Sequence, residues 1–299
     1  MTTETEVRRK RRKNRNRPPR VSVLAAIAAV LVLVVIVVVA RLRNESRNSA
    51  GETTADTAET VEIAGQQVAV DTTIEKSNYT ASDFSVDTKG RVTYSGEGAT
   101  YGIDVAAYQG EIDWAAVKAD GIDFAIIRAG FRGSTAGDLY TDECFAANIQ
   151  GAQDAGVDVG VYFFSQAVTE DEAVEEAKYV LSLISDYSVT YPVFFDWEPS
   201  EDAEGRTYDF DYDSIGPIAE AFCKTIVNAG YKSGIYFNSV QGYLHYDLGD
   251  FSDVNLWLAD YGTTPDFYYN FNYWQYSNTG TVDGIDSEVD LDICFENLS

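Results

Sequence analysis

The amino-acid sequence predicts an α/β barrel for roughly the last 200 of its 299 residues. Short apolar runs of strand length alternate with longer stretches of helical periodicity, which predicts parallel strands joined by helices. Several of the helical stretches end at a glycine, as helices commonly do. Eight such strands in about 200 residues favour a closed barrel. An open doubly wound sheet is the alternative, and it is disfavoured because no glycine-rich phosphate loop follows the first strand.

The predicted barrel elements follow one another regularly after residue 100. The predicted strands cover residues 101–105, 124–128, 159–164, 192–195, 233–237, 255–259, 273–276 and 289–294. The predicted helices cover residues 114–119, 142–155, 170–184 and 212–229. Gly121, Gly156 and Gly230 are the candidate helix stops. The last three strands lack helices of proper length between them, so the final third of the barrel is predicted to be poor in helix.

Charge is divided unevenly along the chain. Residues 1–43 hold 11 of the 22 Lys and Arg residues, whereas residues 44–299 hold 11 basic and 46 acidic residues, a net charge of −35. The basic head at 1–20 precedes 20 mostly apolar residues at 21–40, enough for a helix that spans a membrane. A cleaved signal peptide is disfavoured, because the sequence up to Ala40 is a poor cleavage site. The positive-inside rule predicts a single-pass cell-membrane protein with a cytoplasmic N-terminus and everything after the anchor outside.

Two further regions separate the predicted anchor from the barrel. Residues 41–60 are rich in Ser, Thr and Glu, which predicts a disordered linker. Residues 61–99 predict a small spacer region with β-hairpins that turn near Gly65 and Gly90. The domain expected to carry the chemistry therefore covers residues 100–299. Its acidic charge should repel nucleic acid, and we expect a monomer.

Carboxylates gather at the predicted strand ends. Asp196 and Glu198 follow an apolar run, and because strand side chains alternate, both should point to the same side. Asp104 ends the first strand, and Asp290 and Asp292 are placed at the carboxyl end of the eighth. Carboxyl ends meet on one face of a barrel, and closure makes the first and eighth strands neighbours, so we expect one shared cleft. Solvated acidic loops are the alternative. Glycoside hydrolysis uses such a set, with one carboxyl protonated and another ionised.

His245 is the single histidine, which argues against several classes of hydrolase. A Ser-His-Asp or Cys-His hydrolase would depend on this one residue, and a hydrolytic zinc site usually needs several His or Cys ligands. We therefore expect no metal and no cofactor. Cys144, Cys223 and Cys294 have no CxxC spacing and are expected to be small buried residues, although one pair could bridge outside the cell.

Aromatic side chains share the strand ends with the carboxylates. Tyr and Trp combine a flat apolar face with a polar edge, which suits stacking on sugar rings. Each of them alone is more typical of core or rim packing, but as a set they favour a carbohydrate groove. The candidate substrate-binding residues are Tyr108, Tyr162, Phe164, Tyr236, Trp257, Tyr261, Trp274 and Tyr276.

Six motifs together resemble the family 25 glycoside hydrolases, the Chalaropsis-type lysozymes. They are GIDVAAYQGEIDW (102–114), GVYFFS (160–165), FDWE (195–198), LWLADY (256–261), YWQYS (273–277) and VDLD (289–292), in the order of the family. The resemblance covers residues 100–299. It implies a TIM-like (β/α)5(β)3 barrel, which agrees with the helix-poor final third.

The resemblance also implies an N-acetylmuramidase that hydrolyses the β-1,4 bond between N-acetylmuramic acid and N-acetylglucosamine of peptidoglycan. By position, Glu198 matches the general acid, Asp196 the carboxylate beside it, and Asp104 and Asp290 the remaining cleft acids. A direct Asp nucleophile and assistance by the substrate's 2-acetamido group both remain open. A catalytically weak peptidoglycan-binding or scaffold protein is the alternative, against which the intact set of four carboxylates argues. A chitinase-like enzyme is disfavoured, because Phe194 stands where its longer motif would have Asp.

Overall fold

The computed structural model describes residues 59–295, and these residues belong to one compact unit. The predicted basic head, the predicted membrane anchor at 21–40 and nearly all of the predicted linker lie outside the described residues. Within the described part of the chain, no helix is both long and apolar enough to cross a membrane.

Thirteen strands and five α-helices form the described structure. The strands are β1 (Thr60–Ile63), β2 (Gln66–Ala69), β3 (Phe84–Val86), β4 (Val92–Tyr94), β5 (Thr100–Val105), β6 (Phe124–Arg132), β7 (Leu139–Thr141), β8 (Asp158–Ser165), β9 (Val193–Trp197), β10 (Ser233–Asn238), β11 (Asn255–Ala259), β12 (Tyr273–Gly280) and β13 (Val289–Cys294). The helices are α1 (Trp114–Ala119), α2 (Phe145–Asp154), α3 (Glu170–Ile184), α4 (Ile215–Asn228) and α5 (Ser239–Leu244).

Eight of the strands close into a barrel, which confirms the predicted fold class. The order around the barrel is β5, β6, β8, β9, β10, β11, β12 and β13, and β5 pairs with both β6 and β13. Strand β7 is a short antiparallel extension of β6. The first seven barrel strands run parallel to one another, as strand-helix alternation predicts.

The direction of the eighth strand differs from the prediction. Strand β13 runs antiparallel to both β12 and β5. The physical reason lies in the connection, because only residues 281–288 join β12 to β13. A parallel return needs a crossover of a dozen or more residues, whereas an antiparallel return needs only a short loop. The carboxyl end of β13 therefore points away from the barrel mouth.

The alternation of side chains along the strands separates two apolar clusters. Inside the barrel, Phe124, Phe194, Trp257 and Tyr273 are buried in one aromatic cluster. The larger cluster lies on the outer face of the barrel, where Phe195 of β9 packs against α4. Inward-facing positions nearer the mouth carry polar side chains, so a packed apolar floor supports a polar mouth.

The segment predicted as a spacer, residues 61–99, contains two hairpins and packs on the barrel. Strands β1 and β2 turn at Ala64 and Gly65, whose φ angles of 50° and 77° match a tight two-residue hairpin turn. Strands β3 and β4 form the second hairpin. The Phe84 ring of β3 lies 5.2 Å from the Trp274 ring of β12, centroid to centroid. Arg91 forms an ion pair with Asp120.

Candidate active site

A cleft of about 760 Å³ opens at the barrel mouth. Asp104 of β5, Asp196 of β9, Glu198 just after β9 and Asp290 of β13 all line it. The structure therefore brings together the four carboxylates that the sequence singled out from three distant strands.

Asp104 and Asp290 lie directly opposite each other on the paired strands β5 and β13. Their closeness agrees with the sequence prediction, but the reason given there was wrong for the eighth strand. Because β13 is antiparallel, Asp290 reaches the mouth from near the amino end of its strand, and Asp292 lies deeper, opposite Gly102. Asp292 is buried, and its Oδ1 accepts a hydrogen bond from Trp257 Nε1 at 2.9 Å.

Burial and crowding of like charges raise the pKa values of these aspartates. Asp104 is 6% exposed, and burial, then Asp290 and then Asp292 raise its pKa well above the ordinary range. A hydrogen bond from Gln275 Nε2 to Asp104 Oδ2 at 2.7 Å opposes this shift. Burial raises the pKa of Asp290 to about 6. Burial and repulsion between these carboxylates therefore favour protons on the cluster at pH values where an ordinary aspartate is ionised.

Asp196 and Glu198 differ in their surroundings although they lie two residues apart. Asp196 is buried, and no described residue donates a hydrogen bond to its Oδ1. Burial and then Glu198 raise the pKa of Asp196, and Arg128 opposes that shift. Glu198 reaches solvent at the mouth, yet the cleft walls, then Asp290 and then Glu201 raise its pKa too. Glu198 is thus the accessible carboxyl group that can hold and deliver a proton.

Six of the eight predicted aromatic residues line the cleft. These six are Tyr108, Tyr162, Phe164, Tyr236, Trp257 and Tyr261. Trp274 and Tyr276 are buried outside the cleft lining, with the Trp274 Nε1 donating to Asp260 O at 2.7 Å. Alternation along β12 explains the difference, since Tyr273 and Gln275 take the inward positions and their neighbours face outward.

Arg128 and Gln275 also belong to the site, and the sequence prediction missed both. Among the described residues that line the cleft, Arg128 is the one basic side chain. Its Nε donates to Asp142 Oδ2 at 2.7 Å, and its guanidinium lies 4.8 Å from the centre of the Tyr108 ring. Gln275 accepts hydrogen bonds from the Tyr236 and Tyr261 hydroxyls at 2.9 and 3.1 Å.

A signal for these two residues was present in the strand period. Arg128 follows Phe124 and Ile126 at intervals of two, and Gln275 follows Tyr273 in the same way. Each is therefore the polar member of an inward-facing row that is otherwise apolar. A polar residue at the mouth end of such a row is the pattern that indicates a site residue.

The other candidates for chemistry lie elsewhere. Residues 59–295 contain no group of three or more His, Cys, Asp or Glu residues arranged to hold a metal ion. The His245 ring stacks on Tyr212, with 4.2 Å between the ring centroids. Among the described residues, Cys144, Cys223 and Cys294 are not joined in disulfides. Cys223 and Cys294 are buried as expected, whereas Cys144 is only partly buried.

Comparison with known proteins identifies one family. The sequence profile of the family described as "Glycosyl hydrolases family 25" matches residues 103–285. The chain is 29% identical over 200 residues to the "Autolytic lysozyme" of Clostridium acetobutylicum, covering 66% of this chain and 56% of that protein. It is 30% identical over 205 residues to "Lysozyme M1" of Streptomyces globisporus, covering 63% and 65%. The aligned part thus spans less than two thirds of the length of these two relatives.

The fold of the chain is similar to that of a solved lysozyme structure. The crystal structure of the bacterial lysozyme from Streptomyces coelicolor superposes with a TM-score of 0.53 at 25% identity. The match covers 67% of this chain and 94% of that one. The family profile, which matches residues 103–285, falls within the described barrel.

Proposed function

Because the chain belongs to glycoside hydrolase family 25, we propose that it is a muramidase that hydrolyses the β-1,4 bond between N-acetylmuramic acid and N-acetylglucosamine of peptidoglycan. One observation carries the proposal: four carboxylates from three strands share a cleft in which the accessible member, Glu198, has a raised pKa. A pair of carboxyl groups in different states is what glycoside hydrolysis requires.

Glu198 is the general acid in this proposal. Its carboxyl proton passes to the glycosidic oxygen as the bond from that oxygen to the anomeric carbon breaks, and the bonding electron pair leaves with the oxygen. The raised pKa of Glu198 keeps the proton in place above the ordinary range of a glutamic acid. Activity should fall as pH rises through that pKa, because the ionised form has no proton to donate.

Asp196, whose ionised form the nearby Arg128 favours, stabilises the positive charge that develops on the sugar. Its Oδ1 accepts no hydrogen bond from residues 59–295, so it can accept the N–H of the substrate's 2-acetamido group while the acetamido oxygen attacks the anomeric carbon. Direct attack by an Asp carboxylate is the competing route. In either route water then attacks the anomeric carbon, the bond from that carbon to the acetamido or Asp oxygen breaks with its electron pair returning to that oxygen, and the Glu198 carboxylate takes the water proton.

Glu198 lies between two cavities, which gives the bound glycan a direction. A second cavity of about 460 Å³ adjoins the cleft, and Glu198 and Phe164 line both. Asp104, Asp196 and Asp290 line only the first cavity. The sugar whose anomeric carbon reacts therefore belongs in the first cavity, and the leaving sugar belongs in the second.

Aromatic side chains at the rim suit this polymer. Tyr108 is 81% exposed and Tyr261 is 54% exposed, so both can offer ring faces to sugars that extend beyond the cleft. Tyr162, Tyr236 and Trp257 line the deeper part of the cleft.

Digestion of purified peptidoglycan tests the proposal. We expect new reducing ends to form, and borohydride reduction followed by mass spectrometry should place them on N-acetylmuramic acid. Glu198→Gln is the matched control, since it keeps the shape of the side chain. Reducing ends on N-acetylglucosamine would contradict the bond assignment. Binding to peptidoglycan without any release would instead support the scaffold alternative.

The proposal includes a membrane anchor at residues 21–40, with residues 100–299 outside the cell. The support is the basic head that precedes an uncharged apolar stretch of 20 residues. Protease added to intact protoplasts should remove the catalytic domain. A domain that is protected from protease, or a mature chain that begins after Ala40, would contradict the anchor.

A further inference from the structure

The proposed acid sits at the start of a long irregular loop. Strand β9 ends at Trp197, one residue before Glu198, and no helix or strand follows until a short 3-10 turn at Tyr212–Ser214. A catalytic side chain must be held to within about 0.5 Å and 10–20° of its working geometry. A loop of this length does not supply that precision alone, so other side chains must hold it.

Two buried polar side chains hold this loop. Gln166 is 1% exposed and Thr207 is 0% exposed. The Gln166 Nε2 donates a hydrogen bond to the backbone oxygen of Glu198, and its Oε1 accepts one from Thr207 Oγ1 at 2.6 Å. The same Thr207 Oγ1 accepts from the backbone N–H of Ser200 at 2.8 Å. The chain Glu198–Gln166–Thr207–Ser200 is a closed clamp across the loop.

Trp197, the residue before Glu198, is held by two further hydrogen bonds. Gln241 Nε2, in α5, donates to the backbone oxygen of Trp197 at 2.9 Å. The Trp197 indole Nε1 donates to Ala167 O at 2.9 Å. The backbone is therefore tied on both sides of the acid, and the clamp holds the side that lies beyond the end of the strand.

The chemistry of the clamp is specific to its residues. A buried amide or hydroxyl costs free energy unless it is hydrogen-bonded, and Gln166 and Thr207 use their polar atoms on each other and on the loop backbone. Neither side chain carries a charge or donates to a carboxylate in the cleft. Thr207 lines neither cavity, so its contacts are those of the clamp alone, whereas Gln166 also lines the second cavity.

We propose that Gln166 and Thr207 are positioning residues that hold Glu198 at the boundary between the two cavities. The proposal rests on the proposed role of Glu198 as the general acid. Removing the clamp should displace the acid while leaving Asp196, which lies within β9, in its place. The loss should then appear only where proton donation to the leaving group limits the rate.

Thr207→Val tests the clamp, because valine has nearly the same shape but no hydroxyl. Thr207→Ser is the matched control and keeps the hydroxyl. Each variant is assayed on two glycosides of the same muramyl glycan, one with a sugar as leaving group and one with 2,4-dinitrophenol. Dinitrophenolate departs without protonation, so its release does not depend on the acid.

We expect Thr207→Val to lower kcat on the sugar-leaving substrate by about tenfold to a hundredfold, in line with small misplacements of catalytic groups, with little change in KM. On the dinitrophenyl substrate the loss in kcat/KM should be less than about threefold, because kcat/KM covers only the steps up to the release of dinitrophenolate, and those steps need no acid. Thr207→Ser should behave like the wild type on both. The ratio of the two rates does not depend on how much of the variant is folded, and Gln166→Met should change that ratio in the same direction.

Equal losses on the two substrates would show a merely structural role and overturn the proposal, as would no loss on either. Glu198→Gln is measured alongside. If Glu198→Gln shows no dependence on the leaving group, the proposed acid itself is wrong and the clamp proposal falls with it. If Glu198→Gln shows the dependence and Thr207→Val does not, only the clamp proposal fails.

Discussion

The two sides of the barrel wall are backed in different ways. Strands β8 and β9 pack against long helices, as in the ring contacts of Phe163 with Tyr179 of α3 and of Phe195 with Phe222 of α4. No long helix lies between β11 and β13, and there the first 40 or so described residues supply the packing surface. Aromatic pairs carry these contacts, including Phe84–Trp274, Tyr79–Phe271 and Tyr94–Phe295.

The site therefore depends on two walls with different support. The helix-backed wall supplies Asp196 and the proposed acid Glu198. The other wall supplies Asp104, which accepts a hydrogen bond from Gln275, and Asp290. The charge of Asp290 helps to raise the pKa of Glu198. The matched family region begins at residue 103, so the backing of the second wall lies outside it. Changes to the carboxylates of the cleft should therefore affect the chemistry, whereas changes to the segment that backs the second wall should affect the stability.

Glu198→Gln should have the largest effect and should act on chemistry alone. The amide keeps the shape but cannot donate a proton to the glycosidic oxygen, so we expect a loss of about 10²–10⁴-fold in the rate of wall lysis with folding intact. Glu201→Gln is the control, because Glu201 lines the second cavity and only adds charge near the acid. Asp196→Asn should also be severe. A Glu198→Gln protein that lyses walls at nearly the wild-type rate would refute the assignment.

Phe84→Ala tests the support of the second wall. The Phe84 ring contacts Trp274, Tyr94 and Tyr79, so its removal should lower the free energy of unfolding by about 3 kcal/mol, the low end for a phenylalanine because Phe84 is only partly buried. Val86→Ala on the same strand, where the side chain is 49% exposed, should cost less than about 0.5 kcal/mol.

Denaturant unfolding measures both variants, and kcat per folded molecule should stay unchanged. A cost below about 1 kcal/mol for Phe84→Ala would show that the Phe84 contacts with Trp274 do not support the second wall.

The stability of the protein should depend on pH through Glu176, a buried carboxyl group behind the helix-backed wall. Glu176 of α3 is fully buried, and burial raises its pKa from 4.5 to about 7 even though Arg132 and Ser165 donate to it. Because the folded state then binds more protons than the unfolded state, the free energy of unfolding should fall as pH rises from about 4.5 to 7. One pKa unit corresponds to about 1.4 kcal/mol, so the fall should be roughly 3 kcal/mol.

Glu176→Gln isolates this contribution, since the amide does not titrate. Urea unfolding at several pH values should show a flatter dependence in the variant than in the wild type. The remaining slope should come from groups such as Asp290 on the other wall, whose pKa is raised to about 6. An unchanged slope in Glu176→Gln would show that Glu176 does not titrate in this range.

The sequence predicted the parts of the site that depend on local periodicity. Asp196 and Glu198 share a face because they lie two residues apart on a strand, and that rule needs no tertiary information. Trp274 and Tyr276 are predicted at the cleft from their position at a strand end alone, and the alternation of side chains turns both outward. The direction of β13 depends on the length of one connection. The contact of Phe84 with Trp274 joins residues 190 positions apart, and no local pattern in either segment indicates it.

Asp292 provides the smallest expected effect and shows how deep the polar part of the site extends. It lies on the second wall and is 1% exposed, and its Oδ2 is buried with no hydrogen-bond partner among residues 59–295. Burial raises the pKa of Asp292 well above the ordinary range, and the Asp104 carboxyl is its neighbour. One proton shared between the two carboxyl groups allows a hydrogen bond between Asp104 and Asp292 Oδ2 while Oδ1 keeps its bond from Trp257. An asparagine can make the same two hydrogen bonds, because its amide group donates and its oxygen accepts.

Asp292→Asn should therefore change the rate of wall lysis by less than about threefold and leave stability nearly unchanged. Asp292→Leu has a similar volume but leaves the Trp257 N–H without an acceptor, so it should cost about 1–3 kcal/mol of unfolding free energy. Wall-lysis rates and denaturant unfolding of the two variants decide the matter. If Asp292→Asn were as damaging as Asp292→Leu, the buried group would have to act as an ionised carboxylate. The second wall would then contribute a full negative charge at Asp292 instead of a proton shared between Asp104 and Asp292.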